Sequence, residues 1–354
     1  MVTRRTVMGT LALGGLPLSA GLWGLSAQAE AAQARTSLQW LQRWQQAAAS
    51  NSFAGTLAVS GPNGNLRSAR VWHAVQGGRQ IERVDNLAGN ARSMFRTDSG
   101  SRIFLHDQKL VRVQSNLPRG GMMFPGVQPL PAAQQAQGAA RYQAHQLGQE
   151  RVSNHATDVV GFLPQDGLRH GFRFWSEQKS GLLLKWQLLE LPAGATGFQQ
   201  ARMLREVAFS DLQIQAPLEY ATLQQQMVQT SGYRIEQQAL QTSTLEQQGW
   251  VMRQPLPGYV VTHCYLRPPL RDKAVPQRPA ATGMVTQCVL SDGLSSISLF
   301  LEGASADKRS PPAVRGRGAT RIVSRSYAGG QVATAMGEVP VAALQALLDG
   351  LVRR

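Results

Sequence analysis

The chain has 354 residues, 43% of them hydrophobic, which excludes a disordered or fibrous polypeptide and exceeds what one core of about 250 to 300 residues accommodates, so two domains are expected. A formal net charge of +15 at pH 7 asks for an anionic partner. Two cysteines, and six histidines at spacings that fit no ligand motif, exclude a cysteine-rich zinc site.

Residues 1–29 read as an export leader. Arg4 and Arg5 precede a moderately apolar run, and Ala27-Gln28-Ala29 is a small-x-small site with cleavage expected after Ala29. The run is too short and too glycine-rich to span a bilayer. The arginine pair fits a twin-arginine signal and an ordinary secretory signal equally. Either one places the mature protein outside the cytoplasm, in the periplasm. Export removes nucleic acid as a partner and favours anionic lipid, lipopolysaccharide or an acidic protein segment.

Residues 36–49 open on Thr36 and space Leu38, Leu41, Trp44 and Ala48 as one face of a helix. From Phe53 onward short alternating runs are separated by Gly-Asn-Ser-Asp turns, the pattern of an antiparallel meander. The meander stops at residues 115–140, where neither period holds. Met122, Met123 and Phe124 there suit a lid over an apolar cavity, or else three side chains tucked into a core from a long excursion.

Strands resume with residues 171–190, two runs joined by a polar loop containing Gly181. Phe172, Phe174 and Ser176 share one face of the first run; Leu182, Leu184, Trp186 and Leu188 form an apolar row on the second. A helix, a second sheet or a ligand must cover such a face. Residues 217–248 are glutamine-rich, carry two weak helical patterns and read as a docked linker.

Residues 249–354 form a second block of four or five strands with a closing helix that aligns Val341, Leu344, Leu347, Leu348 and Leu351. Cys264 and Cys288 lie in two of those strands. In an exported chain they are expected to form a disulfide, the alternative being two buried thiols. Arg315, Arg317 and Arg321 stand on a glycine-rich basic segment that suits bidentate contact with carboxylates, or simply solvation. No GxSxG, HExxH or phosphate-binding glycine loop is present. Ser291-Asp292-Gly293 reads as a turn. No enzyme, cofactor or metal is expected, and a hydrolase is the weakest of the readings.

Several strings carry a family resemblance: WLQRWQQAAASNSFAGTLAVS, RVWHAVQGGRQIERVDNLAG, SGLLLKWQLLE, VLSDGLSSISLFLE, RGAT and GEVP, in this order. They resemble the RseB/MucB family of periplasmic negative regulators of the sigma-E envelope stress response. The resemblance implies an α+β fold. Residues 30–216 would form a LolA/LolB-like, unclosed antiparallel β-barrel with helices that senses lipid. Residues 217–248 would be the linker, and residues 249–354 a smaller C-terminal α+β domain that binds the anti-sigma factor. The implied partner is the periplasmic domain of an RseA/MucA-like anti-sigma factor, protected from proteolysis until lipopolysaccharide or lipoprotein acyl chains release it. A homodimer stays open. Phe172, Phe174, Leu184 and Trp186, with Met122, Met123 and Phe124, are then candidate lipid contacts, and Arg315, Arg317 and Arg321 candidate partner contacts. The alternative is a periplasmic carrier or chaperone for lipoproteins or lipids.

Overall fold

The computed structural model describes residues 35–61, 66–115, 129–267, 284–303 and 313–354. The expected leader and cleavage site, and Met122, Met123 and Phe124, lie outside these residues.

The first described element is helix α1 (Ser37–Ser50), started by a reciprocal capping box in which Thr36 Oγ1 accepts from Gln39 N and Gln39 Oε1 accepts from Thr36 N. Twelve described strands then make one sheet: β1 (Phe53–Ser60), β2 (Leu66–Gln76), β3 (Arg79–Asn86), β4 (Arg92–Thr97), β5 (Gly100–Leu105), β6 (Leu110–Ser115), β7 (Tyr142–Val152), β8 (His155–Pro164), β9 (Gly171–Glu177), β10 (Leu183–Glu190), β11 (Arg202–Ile214) and β12 (Arg234–Ala239). Their order is β12-β6-β5-β4-β3-β2-β1-β11-β10-β9-β8-β7, so β12 and β7 are the two edges and the sheet is unclosed. The pairing is antiparallel except between β12 and β6.

Two segments differ from their sequence reading. Within the aperiodic stretch, Ala132–Ala139 forms helix α2, whose buried residues are Gln135, Gly138 and Ala139. Its packing face is made of small groups and one glutamine, so no apolar period marks it. The glutamine-rich stretch supplies helix α3 (Tyr220–Val228) and strand β12, and is thereby built into the first sheet. Tyr220 and Leu223 of α3 pack on Ala74 and Ile81 of β2 and β3. The β12–β6 pair is joined by polar side chains, Arg112 with Glu236 at 3.1 Å and Gln114 with Gln238 at 2.9 Å. A strand held by such a ladder shows no hydrophobic alternation.

The second block carries more strands than expected, and the glutamine-rich stretch adds β13 (Gln241–Ser243) to them: β14 (Trp250–Met252), β15 (Val260–Arg267), β16 (Val285–Ser291), β17 (Ser296–Glu302), β18 (Ala313–Arg317), β19 (Thr320–Ser326), β20 (Val332–Gly337) and β21 (Leu351–Arg353). Seven of the described strands form a sheet in the order β13-β15-β16-β17-β20-β19-β18, while β14 pairs with β21. Helix α4 (Val341–Gly350) buries Ala343, Leu344, Leu347 and Leu348 in a core with Ile297, Leu299, Val323 and Ala335.

Candidate functional site

The hairpin of β9 and β10 pairs Phe174 with Trp186 and Phe172 with Leu188, which sets these four side chains on one face. Helix α1 covers that face. Trp44 lies 4.5 Å from the Phe174 ring and 5.4 Å from Phe162, and Trp40 stacks on Trp44 at 5.9 Å. The buried stripe is Trp40, Leu41, Trp44 and Ala47, turned slightly from the Leu38-Leu41-Trp44-Ala48 face read from spacing. Arg43 clasps the hairpin from outside, donating to Gln178 O at 2.7 Å.

Phe172, Phe174 and Leu184 are therefore core residues in this conformation, and Trp186 is half-buried. Two indole N–H groups, Trp44 Nε1 and Trp186 Nε1, are buried there without an acceptor among the described residues. An interior that leaves two donors unused is less than ideally satisfied.

The two sheets meet at a polar junction built on the Ser291-Asp292-Gly293 turn. Asp292 Oδ1 accepts from Leu294 N at 3.0 Å and Ser295 N at 2.7 Å, which closes the turn. Its other oxygen leaves the turn. Asp292 Oδ2 accepts from Arg169 Nε at 2.8 Å and from the Tyr142 hydroxyl at 3.1 Å, both on the first domain. Arg169 also donates to Asp166 Oδ2 and to Pro257 O, each at 2.6 Å, and lies 4.5 Å over the Tyr259 ring. The side chains of Arg169 and Asp292 have 0% exposure.

Burial pushes the Asp292 carboxyl above its ordinary range, against the pull of Arg169 and the two turn N–H groups. Burial likewise raises the Tyr142 and Tyr259 hydroxyls, so both stay protonated. Contact is close: a Cβ on Gly138 of α2 would fall 2.0 Å from Asp292 O. Leu294 and Ala319, from two turns of the second sheet, pack against the first core. Arg205 and Glu338 add an ion pair at 2.5 Å. Ser291 ends strand β16 where the turn begins; its hydroxyl is buried and donates to Ser295 O at 2.9 Å. Sequence reasoning missed the junction, because the only local signal, Ser-Asp-Gly, is fully explained by a turn.

The basic residues fall on the hairpin of β18 and β19. β18 is an edge of the second sheet, and Arg315 is exposed on it with no ion-pair partner among the described residues. Arg317 pairs through its backbone with Thr320. Arg321 is partly buried and donates to Gly318 O at 2.8 Å, so its guanidinium closes the hairpin turn. Arg315 thus stands apart from Arg321 in its freedom to meet a partner. Cys264 and Cys288 face each other across β15 and β16 and are bonded as a disulfide within the second core.

Among the described residues no group of histidine, cysteine or carboxylate side chains could hold a metal ion, and no helix is long and apolar enough to cross a membrane.

A family model described as the MucB/RseB N-terminal domain matches residues 36–228, and one described as the MucB/RseB C-terminal domain matches residues 244–352. A curated relative, the sigma factor AlgU regulatory protein MucB of Pseudomonas aeruginosa, is 26% identical over 322 residues, covering 88% of this chain and 89% of that protein. The solved complex of Pseudomonas aeruginosa MucA and MucB matches 90% of this chain and 99% of the compared chain, at 23% identity and a TM-score of 0.65. A crystal structure of MucB in complex with MucA(peri) matches 89% and 98%, at 24% identity and a TM-score of 0.64. At these identities the structures establish a shared fold across both domains.

Proposed function

Because the chain belongs to the MucB/RseB family, we propose that it is a periplasmic regulator that binds the periplasmic part of a MucA-like anti-sigma factor. Bound there, it shields that segment from regulated proteolysis and so restrains transcription by the sigma factor. The observation that carries this reading is that both domains match, in order, nearly the whole of a chain solved in complex with MucA. The role is one of binding, not catalysis.

The partner contacts this chain through the β18 edge, where open backbone groups and the exposed Arg315 meet an acidic or strand-forming segment. Arg317 extends the same edge. Arg321 supports it from behind through its turn contacts.

Release requires a ligand that prefers the free form over the complexed one, since only a difference in affinity moves the equilibrium. The ligand is an acyl chain of lipopolysaccharide or of a lipoprotein, which displaces α1 and takes its place on Phe172, Phe174, Leu184 and Trp186. The unused indole donor of Trp186 supports this, since an ester carbonyl entering with the chain gives it an acceptor. A carrier with a standing ligand cup has less support, because α1 occupies that space.

The test is a proteolysis assay. The periplasmic segment of the anti-sigma factor from the same genome is digested by its first regulatory protease, alone, with this protein, and with this protein plus lipopolysaccharide. Protection that lipid removes supports the proposal. Digestion at an unchanged rate in the presence of this protein refutes it.

A further inference from the structure

The outer face of the first sheet carries a built site that the regulatory reading does not use. Gly161 of β8 lies in register between His145 of β7 and Arg173 of β9, three residues in one row across the strands. Alternation sets this row on the face opposite Phe162, Phe172 and Phe174. The missing side chain at Gly161 leaves a floor, and Phe198, from the loop between β10 and β11, lies over it: a Cβ there would be 2.3 Å from the ring. The β-bulge between Gln146 and Gly148 at the sheet edge leans Leu147 over the same floor. Beside this contact lies an open cavity of about 430 Å³ with an apolar wall of Phe198 and Leu147, lined also by His145, Arg173, Thr196 and Gln199.

Two of its polar side chains are incompletely satisfied. His145 stands 6.2 Å from the Phe198 ring and the Arg173 guanidinium 5.9 Å from it. His145 Nε2 and Arg173 Nε are both buried with no hydrogen-bond partner among the described residues, and the contact of Arg173 Nη1 with Gln187 Oε1 is 3.5 Å long. Arg173 has no carboxylate partner among the described residues, whereas neighbouring Lys185 is paired with Glu206 at 3.0 Å. A guanidinium without a counter-charge, beside a second unused ring nitrogen and an aromatic wall, has the chemistry of an anion site.

We propose that this cavity binds a small amphiphile with an oxyanion head, carboxylate or phosphate, on a short apolar body. Arg173 holds the head through its terminal nitrogens, and Phe198 and Leu147 cover the body. The site is separate from the space under α1 and independent of the anti-sigma factor.

The experiment is calorimetric titration of the purified protein with octanoate, octyl phosphate, octanol and inorganic phosphate. At least one of the two anionic amphiphiles binds, and octanol and inorganic phosphate bind about tenfold or more weakly, because each lacks one half of the recognition. The tighter of the two anions identifies the head. R173Q weakens binding by about tenfold or more at unchanged melting temperature. G161A, whose added methyl drives Phe198 off the floor, weakens it independently of charge. Three results overturn the proposal: no binding of either anion at millimolar concentration, octanol binding as tightly as the anions, or affinity that survives both R173Q and G161A.

Discussion

Asp292→Asn is the sharpest perturbation of the junction. It preserves shape and the Oδ1 acceptor for Leu294 N and Ser295 N, but leaves Arg169 buried without the carboxylate that lies 2.8 Å from Nε. Removing one member of a buried pair costs about 3 to 5 kcal/mol. Arg169 keeps Asp166, whose side chain is 23% exposed, so the loss falls near the lower figure, about 3 kcal/mol. Asp292→Ala also strips the acceptor from two turn N–H groups and reaches about 5 kcal/mol. Urea denaturation followed by tryptophan fluorescence measures both. In a double-mutant cycle with Arg169→Met, the pair gives a coupling of about 2 kcal/mol or more. A loss below about 1 kcal/mol for Asp292→Asn, with no coupling to Arg169, would refute the idea that this pair holds the two domains together.

Stability also depends on pH through two buried histidines. Burial lowers His73 and His170 to about 4 in the folded protein, while the unfolded chain titrates near 6.5. As pH falls below 6.5 the unfolded state takes up protons first, so stability is complete above that value and is lost progressively down to 4. By pH 5 each of these two histidines costs about 2 kcal/mol; denaturation in buffers from pH 7 to 5 gives this slope, His73→Gln removes about 2 kcal/mol of the loss at pH 5, and a flat profile contradicts the burial. Replacing Cys264 and Cys288 by serine opens a loop of sequence separation 24 and lowers stability by about 3 kcal/mol; an unchanged urea midpoint shows the bridge adds nothing. Displacing α1 exposes Trp40, Leu41 and Trp44, about 7 kcal/mol of burial, which an acyl chain recovers with about nine methylenes. Release of the anti-sigma segment is therefore expected with dodecanoyl but not hexanoyl lipids, and equal release by both refutes the exchange.

How much was legible follows the range of each interaction. The β9–β10 hairpin was readable because alternation over residues 171–190 is a local signal, and its loop contains the positive-φ Gly181 that the turn uses. Helix α1 was readable from its cap and stripe, although Trp40 and Ala47 took the buried positions assigned to Leu38 and Ala48. β12 was hidden because its partner is polar and lies 124 residues away at the Arg112–Glu236 contact. The second role of Asp292 was hidden likewise, since Arg169 is 123 residues upstream. The row of His145, Gly161 and Arg173 exists only through strand register, which no window of sequence contains. That α1 covers the apolar face was one of three options the pattern allowed; only packing chose among them.

The central claim is association with an anti-sigma factor, and its most direct measurement is calorimetric titration of residues 30–354 with the periplasmic segment of the MucA-like protein from the same genome. The account predicts a saturable complex that Arg315→Glu weakens and that Arg173→Gln leaves unchanged. Absence of a complex at micromolar concentrations, or one indifferent to charge reversal at Arg315, would contradict the regulator reading or its placement on the β18 edge, respectively.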